Sequence, residues 1–180
     1  MAFTCVKSIE EESENVAWPT AILGALLISG YVCTPFLVET AQLSFVTGLI
    51  FMTLITYASY SVLHDAVHGA IRGGQSNYRW LNETLGYGAG WIMGVPLTAH
   101  RHVHLAHHRS TNVDDHDPDL SYAKAESFWT GLLCFWNRVT ALQYTYYAEH
   151  RWNQKKGNQN LYFCLEAFAQ IGLRLVIMWQ

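Results

Sequence analysis

Two long uncharged stretches occupy the first third of the chain. Asn15–Val38 and Leu43–Leu63 contain no acidic or basic residue, and only the short polar segment Glu39–Gln42 separates them. A helix needs about 20 mainly apolar residues to cross the hydrocarbon core of a bilayer, and both stretches reach that length. Trp18 suits a membrane interface and Pro19 suits the first turn of a helix. The pattern predicts a hairpin of two membrane-spanning helices and disfavours the alternative, a buried hairpin in a soluble protein.

The later apolar stretches are shorter or carry charge. Thr84–Ala99 is too short to span comfortably and contains several glycines and Pro96, which predicts an interfacial or re-entrant segment. Ser127–Ala148 is rich in aromatic residues but has Asn137 and Arg138 in its middle. Because a central arginine is costly in hydrocarbon, we expect this stretch to form an amphipathic helix along the membrane surface.

The last part of the chain combines a polar loop with one more apolar stretch. Arg151–Gln159 is polar and basic, and Leu161–Gln180 has the composition expected at the start of a third spanning helix. Glu166 and Arg174 are unfavourable inclusions in that stretch, because charged side chains are costly inside a bilayer.

The overall composition favours a membrane protein. Hydrophobic residues make up 51% of the 180 and charged residues only 14%, whereas a soluble domain has about 25% charged residues. The apolar content excludes a disordered chain, and the net charge of -3 excludes a basic surface for nucleic acid. Residues 1–16 are expected to form a polar, acidic tail without secretory-signal features. Residues 17–180 are expected to form one all-α membrane domain, incomplete at its C-terminus.

The basic residues predict the orientation of the chain. No Lys or Arg lies between Lys7 and Arg72, and all the other basic residues follow. Two crossings return the chain to its starting side, and cytoplasmic segments carry an excess of Lys and Arg. The region after Leu63, together with the N-terminal tail, is therefore expected in the cytoplasm.

The four cysteines are widely spaced, and no two of them form a CxxC pair. They are Cys5, Cys33, Cys134 and Cys164. This spacing matches neither a disulfide framework nor a zinc knuckle, so we expect buried thiols in a reducing compartment.

Eight of the nine histidines lie between His64 and His116, which makes this region the candidate functional site. His64 and His68 are four residues apart, so on a helix both imidazoles lie on one face and can reach one metal ion. Asp65 is placed to hold a ring nitrogen of a ligand. The glutamate of the zinc-protease motif His-Glu-x-x-His is missing here, and a lone HxxxH is a weak signal.

The second group of histidines lies within His100–His108. At about 100° per residue on a helix, His104, His107 and His108 fall in one narrow arc. His100 lies on the same side one turn earlier, whereas His102 points almost the opposite way. Imidazole ligands suit zinc, copper or iron, and more than four of them favour two metal ions over one structural zinc.

Three motifs together resemble the membrane-bound fatty acid desaturase superfamily. They are HDAVHG at His64–Gly69, HLAHHRSTN at His104–Asn112 and DPD at Asp117–Asp119. The resemblance implies helical spans with interfacial helices that carry histidine boxes on the cytosolic side. The ligands that it implies for two non-haem iron ions are His64, His68, His104, His107 and His108.

The resemblance also implies a reaction and its partners. Such enzymes use molecular oxygen and two electrons to remove hydrogens from a fatty acyl chain. The electrons come from a donor such as a ferredoxin or a small cytochrome with its reductase, and the substrate is a lipid or acyl chain in the membrane.

Several neighbouring residues have no place in the two boxes. His100 is interpreted as a possible supporting residue, and His102 and His116 as surface residues. Gly69 allows close approach at the helix end. Thr111, Asn112 and Asp114–Asp119 are interpreted as closing the second box helix, with Pro118 preventing its continuation. This stretch is either a solvated acidic turn or a participant in catalysis. Asn112 is also a candidate hydrogen-bond partner of a ligand.

Two alternative functions stay open at the level of sequence. A carotenoid hydroxylase or ketolase of the same superfamily has similar boxes, and a membrane protein that binds metal without catalysis also accounts for the histidines. The resemblance further implies a third box, HxxHH, but His150 stands alone in YAEHRWNQ. We therefore expect the 180 residues to be a fragment of a longer protein, or a degenerate relative with an incomplete site.

Overall fold

The computed structural model describes residues 15–114, 116–120, 124–137, 141–154 and 158–175. Within these ranges the regular secondary structure is helical, with no strand. This agrees with the predicted all-α class. The chain divides into two compact units, residues 1–93 and residues 94–180.

Two long helices form the first part of the N-terminal unit. Helix α1 spans Trp18–Glu39, with Pro19 in its first turn, and helix α2 spans Phe45–His68. The Ser44 side chain caps α2 by accepting a hydrogen bond of 3.1 Å from the backbone N–H of Thr47. This satisfies one of the N–H groups that a helix start leaves without an intrahelical partner.

Both helices have the dimensions of a membrane span. They contain 22 and 24 residues, or about 33 and 36 Å at 1.5 Å per residue, against a hydrocarbon core of about 30 Å. Most of their large apolar side chains are exposed, including Leu26, Phe36 and Leu54. A helix in the core of a soluble protein would bury such side chains. The two predicted spanning helices are therefore present as candidate spans by length, composition and exposure.

Small residues let α1 and α2 approach closely. A Cβ atom added to Gly30 would lie 3.1 Å from Ile55, and one added to Gly48 would overlap the Cγ2 methyl group of Val38. Close packing at small residues is the usual way in which helices associate in membranes.

Helix α3, Arg79–Met93, packs against this hairpin and follows a 3-10 turn at Ser76–Tyr78. Asn82 is buried and donates a hydrogen bond of 3.0 Å to the carbonyl of Ala66 in α2. The stretch Thr84–Ala99 is not one continuous helix. Helix α3 covers its first part and ends at Met93, and the next helix begins at Leu97. The interfacial or re-entrant location of the stretch stays a prediction.

The C-terminal unit contains four helices in its described residues. They are α4 (Leu97–Arg109), α5 (Phe128–Asn137), α6 (Gln143–His150) and α7 (Gln159–Ala167), and α7 continues into a π-helical turn at Phe168–Leu173. A short 3-10 turn at Trp152–Gln154 follows α6.

One aromatic cluster joins three of these helices. Ala99 of α4, Tyr147 of α6 and Phe163 of α7 are buried together, and the rings of Tyr147 and Phe163 stack with centroids 4.2 Å apart. The Tyr147 hydroxyl donates a hydrogen bond of 3.0 Å to the side-chain oxygen of Asn160. The cluster therefore packs α4 against the two later helices.

Two predictions for this unit are tested only in part. The described parts of Ser127–Ala148 are helical, and none of the residues of α5 is buried, but Arg138 lies outside the described residues. Its position on the membrane surface stays a prediction. The segment from Leu161 begins as a helix, yet residues 176–180 lie outside the described part, so the third span also stays a prediction.

The expectation of buried cysteines is wrong for the described residues. Cys33 and Cys164 are exposed and Cys134 is half-buried, whereas Cys5 lies outside the described residues. A thiol behaves as a small, weakly polar group. Cys33 can therefore face lipid from the surface of α1 without a hydrogen-bond partner for its sulfur.

A substitution at the close contact between α1 and α2 tests the hairpin. In Gly48→Ala the new methyl group overlaps Val38, whose β-branched side chain has few alternative rotamers. Overpacking costs about 1–3 kcal/mol, and the better helix propensity of alanine returns up to about 1 kcal/mol. We expect a net loss of stability of about 1 kcal/mol, measured by thermal unfolding of the protein in detergent.

Gly131→Ala in α5 is the matched control. Its new Cβ would meet only the Cβ of Ala125 at 3.8 Å, an ordinary contact, so we expect unchanged or slightly higher stability. Equal unfolding temperatures for Gly48→Ala and wild type would contradict the close packing of α1 on α2.

Candidate metal centre

The first pair of candidate ligands lies in the last turn of α2. His64 is half-buried and His68 exposed, and their ring centroids are 4.8 Å apart. This is the arrangement expected for residues four apart on one helical face. The structure thus brings the two residues of the first box together.

Asp65 connects this pair to helix α1. Its Oδ1 atom lies 3.4 Å from Nδ1 of His64, and its Oδ2 atom accepts a hydrogen bond of 2.9 Å from the Thr20 hydroxyl. The contact agrees with the predicted role of Asp65 beside a ring nitrogen. Because Thr20 belongs to α1, the carboxylate also holds the two helices together at the level of His64.

Gly69 ends the helix that carries this pair. Its φ of 73° is left-handed, which favours glycine, and Ala70 donates a hydrogen bond of 2.9 Å to the carbonyl of Asp65. The glycine of HDAVHG is thus explained by the helix end, not by the close approach that the sequence suggested.

The second group lies on α4. His100 and His104 are buried, His107 is half-buried and His108 is exposed. The Nε2 atoms of His104 and His108 face each other at 3.0 Å, and the ring of His107 lies 6.5 Å from that of His104 between centroids. The predicted arc of three histidines on one side of the helix is present.

The donor atoms of this group fit a metal ion. Imidazole nitrogens bind such ions at about 2.0–2.1 Å, so two of them at right angles around one ion are about 3.0 Å apart. The Nε2 atoms of His104 and His108 have this separation. Imidazole-rich ligand sets suit zinc, copper, iron and nickel, so the donor set accepts iron without selecting it.

Asp117 fixes the ring of His107. Its Oδ1 atom lies 2.8 Å from Nδ1 of His107, and its oxygens also accept hydrogen bonds of 2.8 Å from the backbone N–H groups of Asn112 and Asp119. An ionised carboxylate only accepts hydrogen bonds, so Nδ1 of His107 is the donor in this contact. Nε2 is then the ring nitrogen available to a metal ion.

The charge state of Asp117 follows from these contacts. Burial alone raises the pKa of Asp117, but the hydrogen bonds from His107, Asn112 and Asp119 together lower it by more. The net pKa lies below the usual value, and the carboxyl group is ionised at neutral pH. The acceptor role therefore holds under physiological conditions.

The interpretation of residues 114–119 as a solvated acidic turn needs correction. Asp117 and Asp119 are both buried. The carboxylate of Asp117 turns inward to His107 on the histidine helix and to backbone N–H groups of its own loop. Asp114 is exposed and pairs with Lys124, as a solvated residue would. Asp115 lies outside the described residues.

The start of that loop closes α4 as expected. The Thr111 hydroxyl donates a hydrogen bond of 2.8 Å to the carbonyl of His107. Asn112 has a left-handed φ of 61°, which asparagine tolerates better than most residues. Its backbone N–H serves Asp117, so the structure gives this residue a role in the loop.

His100 and His102 lie on α4 but outside the second histidine box. His100 is buried with Nδ1 3.3 Å from the Gln143 side-chain oxygen, and its ring stacks on His104 at 5.5 Å, which agrees with a supporting position. His102 is half-buried, with its ring centroid 5.5 Å from that of Tyr147, so it is only partly a surface residue.

Two histidines outside the boxes lie on the surface. His116 is exposed, and its Nδ1 atom lies 3.0 Å from the carbonyl oxygen of Asp114. His150 is also exposed, and it stacks on Tyr146 with ring centroids 4.2 Å apart. The surface interpretation of His116 is confirmed.

Sequence reasoning missed two residues that hold the histidine rings. Gln143 contacts His100 from 43 positions away, and a single sequence carries no signal of such a contact. The role of Asp117 could have been inferred from the sequence, because the DPD motif follows shortly after HLAHH. A histidine that binds metal usually donates its other ring N–H to a carboxylate or carbonyl oxygen.

These features describe a helical protein with two candidate spans and with imidazole groups arranged for metal binding. The family model for fatty acid desaturases matches residues 41–180, and the chain belongs to that family. Family membership and the two apolar helices together indicate an integral membrane protein.

A curated relative points to the same family. The chain is 26% identical over 129 residues to an acyl-lipid 8-desaturase of Rebecca salina. The match covers 71% of the chain but only 30% of that relative's length. No solved structure matches the chain.

Substitution of Asp117 tests its role in metal binding. Asp117→Asn keeps the side-chain volume but replaces one acceptor oxygen by an N–H donor, which removes the preferred partner of Nδ1 in His107. Loss of such a partner typically lowers metal affinity by about 10- to 100-fold. We expect a decrease of that size for Co²⁺, measured by titration of the full-length protein in detergent.

Asp114→Asn provides the control. Asp114 lies in the same loop, but it is exposed and pairs with Lys124, so we expect Co²⁺ affinity within about twofold of wild type. Equal affinities for the Asp117 and Asp114 variants would show that the carboxylate does not position His107.

Proposed function

We propose that this protein forms part of an oxygen-dependent fatty acyl desaturase with a histidine-ligated di-iron centre. The observation that carries the proposal is the 3.0 Å separation of the Nε2 atoms of His104 and His108, in a chain of the fatty acid desaturase family. The relative from Rebecca salina supports an acyl substrate, because it is an acyl-lipid desaturase.

In this proposal both histidine boxes supply iron ligands. The five ligands are His64 and His68 from α2 and His104, His107 and His108 from α4. When bound, the iron pair would activate molecular oxygen with two electrons. This is the chemistry needed to remove hydrogen from an unactivated carbon. Imidazole rings suit such iron because they are neutral nitrogen donors at physiological pH.

The carboxylates beside the boxes orient these rings in the proposed site. Asp117 holds the proton on Nδ1 of His107, which directs Nε2 to the metal. Asp65 stands beside Nδ1 of His64 and is itself held by Thr20. Each box thus includes one ring with a carboxylate partner, which lowers the cost of ordering the ligands before metal binds.

The proposed site works between membrane and cytoplasm. We propose that α1 and α2 cross the bilayer and that the histidine boxes lie on the cytoplasmic side, because the basic residues follow the second candidate span. The acyl chain then enters from the lipid. A ferredoxin, or a small cytochrome with its reductase, delivers the two electrons from the cytoplasm.

Expression of the full-length protein in a host that contains both fatty acids and carotenoids tests this function. We expect new double bonds in the host's acyl lipids and unchanged pigments, measured by mass spectrometry of both fractions. New oxygenated carotenoids with unchanged acyl chains would replace the proposal by a carotenoid hydroxylase or ketolase. Metal binding without any oxygen-dependent product would identify a non-catalytic protein.

A matched pair of histidine variants locates the reaction at the boxes. His104→Ala removes a buried proposed ligand, and we expect desaturation to fall to background while the protein still inserts into membranes. His116→Ala removes an exposed histidine of the neighbouring loop, and we expect full activity. Activity retained in His104→Ala would contradict the ligand assignment.

A further inference from the structure

A buried contact links the end of the described chain to the start of the histidine helix. Glu166 of α7 accepts two hydrogen bonds through its two carboxylate oxygens. Oε1 accepts from the backbone N–H of Leu97 at 2.6 Å, and Oε2 accepts from the backbone N–H of Thr98 at 2.9 Å. These donors are the first two residues of α4. The carboxylate therefore caps the helix from a distant position in the sequence.

Helix α4 has no cap of its own at this end. Its N-cap residue is Pro96, which has no side-chain oxygen, and no side chain caps the helix locally. The first N–H groups of a helix lack intrahelical partners, and Pro96 and Leu97 are fully buried, so water is a poor substitute. The negative charge of Glu166 also interacts favourably with the positive end of the helix dipole.

Other contacts hold the same two segments together. The aromatic cluster of Ala99, Tyr147 and Phe163 packs the same first turn of α4 against α7. Gly94 has a left-handed φ of 77°, and a Cβ atom there would lie 2.8 Å from Nη1 of Arg174. Glu166 thus lies against the first residues of α4, and Arg174 lies against Gly94 just before the helix.

We propose that Glu166 is a positioning residue for the second histidine group: its carboxylate fixes where α4 begins, and so where the rings of His104, His107 and His108 stand. The value of this position for metal binding depends on the function proposed above. The cap itself does not depend on it. A charged residue inside an apolar stretch is then explained by the helix end that it completes.

Substitution of the carboxylate tests the cap. Glu166→Gln keeps the shape of the side chain, but its amide has one acceptor oxygen and places an N–H donor against a backbone N–H. We expect hydrogen–deuterium exchange at the amides of Leu97 and Thr98 to accelerate at least about tenfold in the full-length protein. Co²⁺ affinity should fall about five- to tenfold, with a changed d–d absorption spectrum.

Glu149→Gln is the matched control. Glu149 is an exposed glutamate on α6 in the same unit, and we expect its exchange pattern, Co²⁺ affinity and spectrum to equal those of wild type. If Glu166→Gln does not fold, Glu166→Asp takes its place. Its shorter side chain lengthens both hydrogen bonds and should shift the same amides in the same direction.

A second-site variant separates capping from general packing. Pro96→Ser introduces a local N-cap at a position whose φ of -67° and ψ of 122° suit a serine cap. Its hydroxyl oxygen can accept a hydrogen bond from the N–H of Thr98 but not from that of Leu97, the first residue of the helix. In the Glu166→Gln background it should therefore restore slow exchange at Thr98, together with Co²⁺ affinity, to within about twofold of Pro96→Ser alone. A role of Glu166 in packing α7 would not be rescued in this way.

Two results would overturn the proposal. One is exchange at Leu97 and Thr98 that does not change in Glu166→Gln, and the other is failure of Pro96→Ser to restore slow exchange at Thr98. If wild-type protein binds neither Co²⁺ nor iron, the proposed function fails instead. The exchange measurement then decides the cap by itself, because it needs no metal.

Discussion

The positions of the histidine rings depend on carboxylate and amide oxygens that accept hydrogen bonds from the rings and from the start of their helix. In the C-terminal unit, Asp117 holds His107, Gln143 holds His100 and Glu166 holds the first two N–H groups of α4. Each of these polar side chains is far more favourable when paired than when buried alone. These three side chains come from different parts of the unit, and all of them contact helix α4.

The N-terminal unit applies the same principle at the end of an apolar hairpin. Close contacts at glycines bring α1 and α2 together along their length, and Asp65 joins them by a polar contact where His64 begins the first box. A single left-handed glycine, Gly69, then ends α2 one residue after His68. The apolar part of the helix and the end that carries the first histidine box are thus continuous, and both are held by α1.

Much of this architecture was predictable because it depends on local patterns. Uncharged length predicted α1 and α2, and the i, i+4 spacing predicted the shared face of His64 and His68. The arc of His104, His107 and His108 followed from helical periodicity in the same way. The partners Gln143 and Glu166 were not predictable, since contacts across 43 and 69 positions leave no periodic trace in one sequence.

The acidic loop shows where composition misleads. A run of aspartates between polar residues has the appearance of a solvated turn, and Asp114 behaves in that way. Asp117 is buried because the backbone folds its N–H groups around the carboxylate, a feature of loop geometry that residue types alone do not encode. The burial of Asp117 could be inferred from the DPD motif only when the motif is considered together with the neighbouring histidines.

The proposed function requires that the two histidine boxes bind iron. Metal analysis of the full-length protein, purified from cells supplied with iron and zinc, measures this binding. We expect about two iron ions per chain, since neutral imidazole donors suit iron. In a His64→Ala, His104→Ala double variant the iron content should fall to less than half. One tightly bound zinc per chain, or iron content that does not change in the double variant, would exclude a di-iron centre at these histidines.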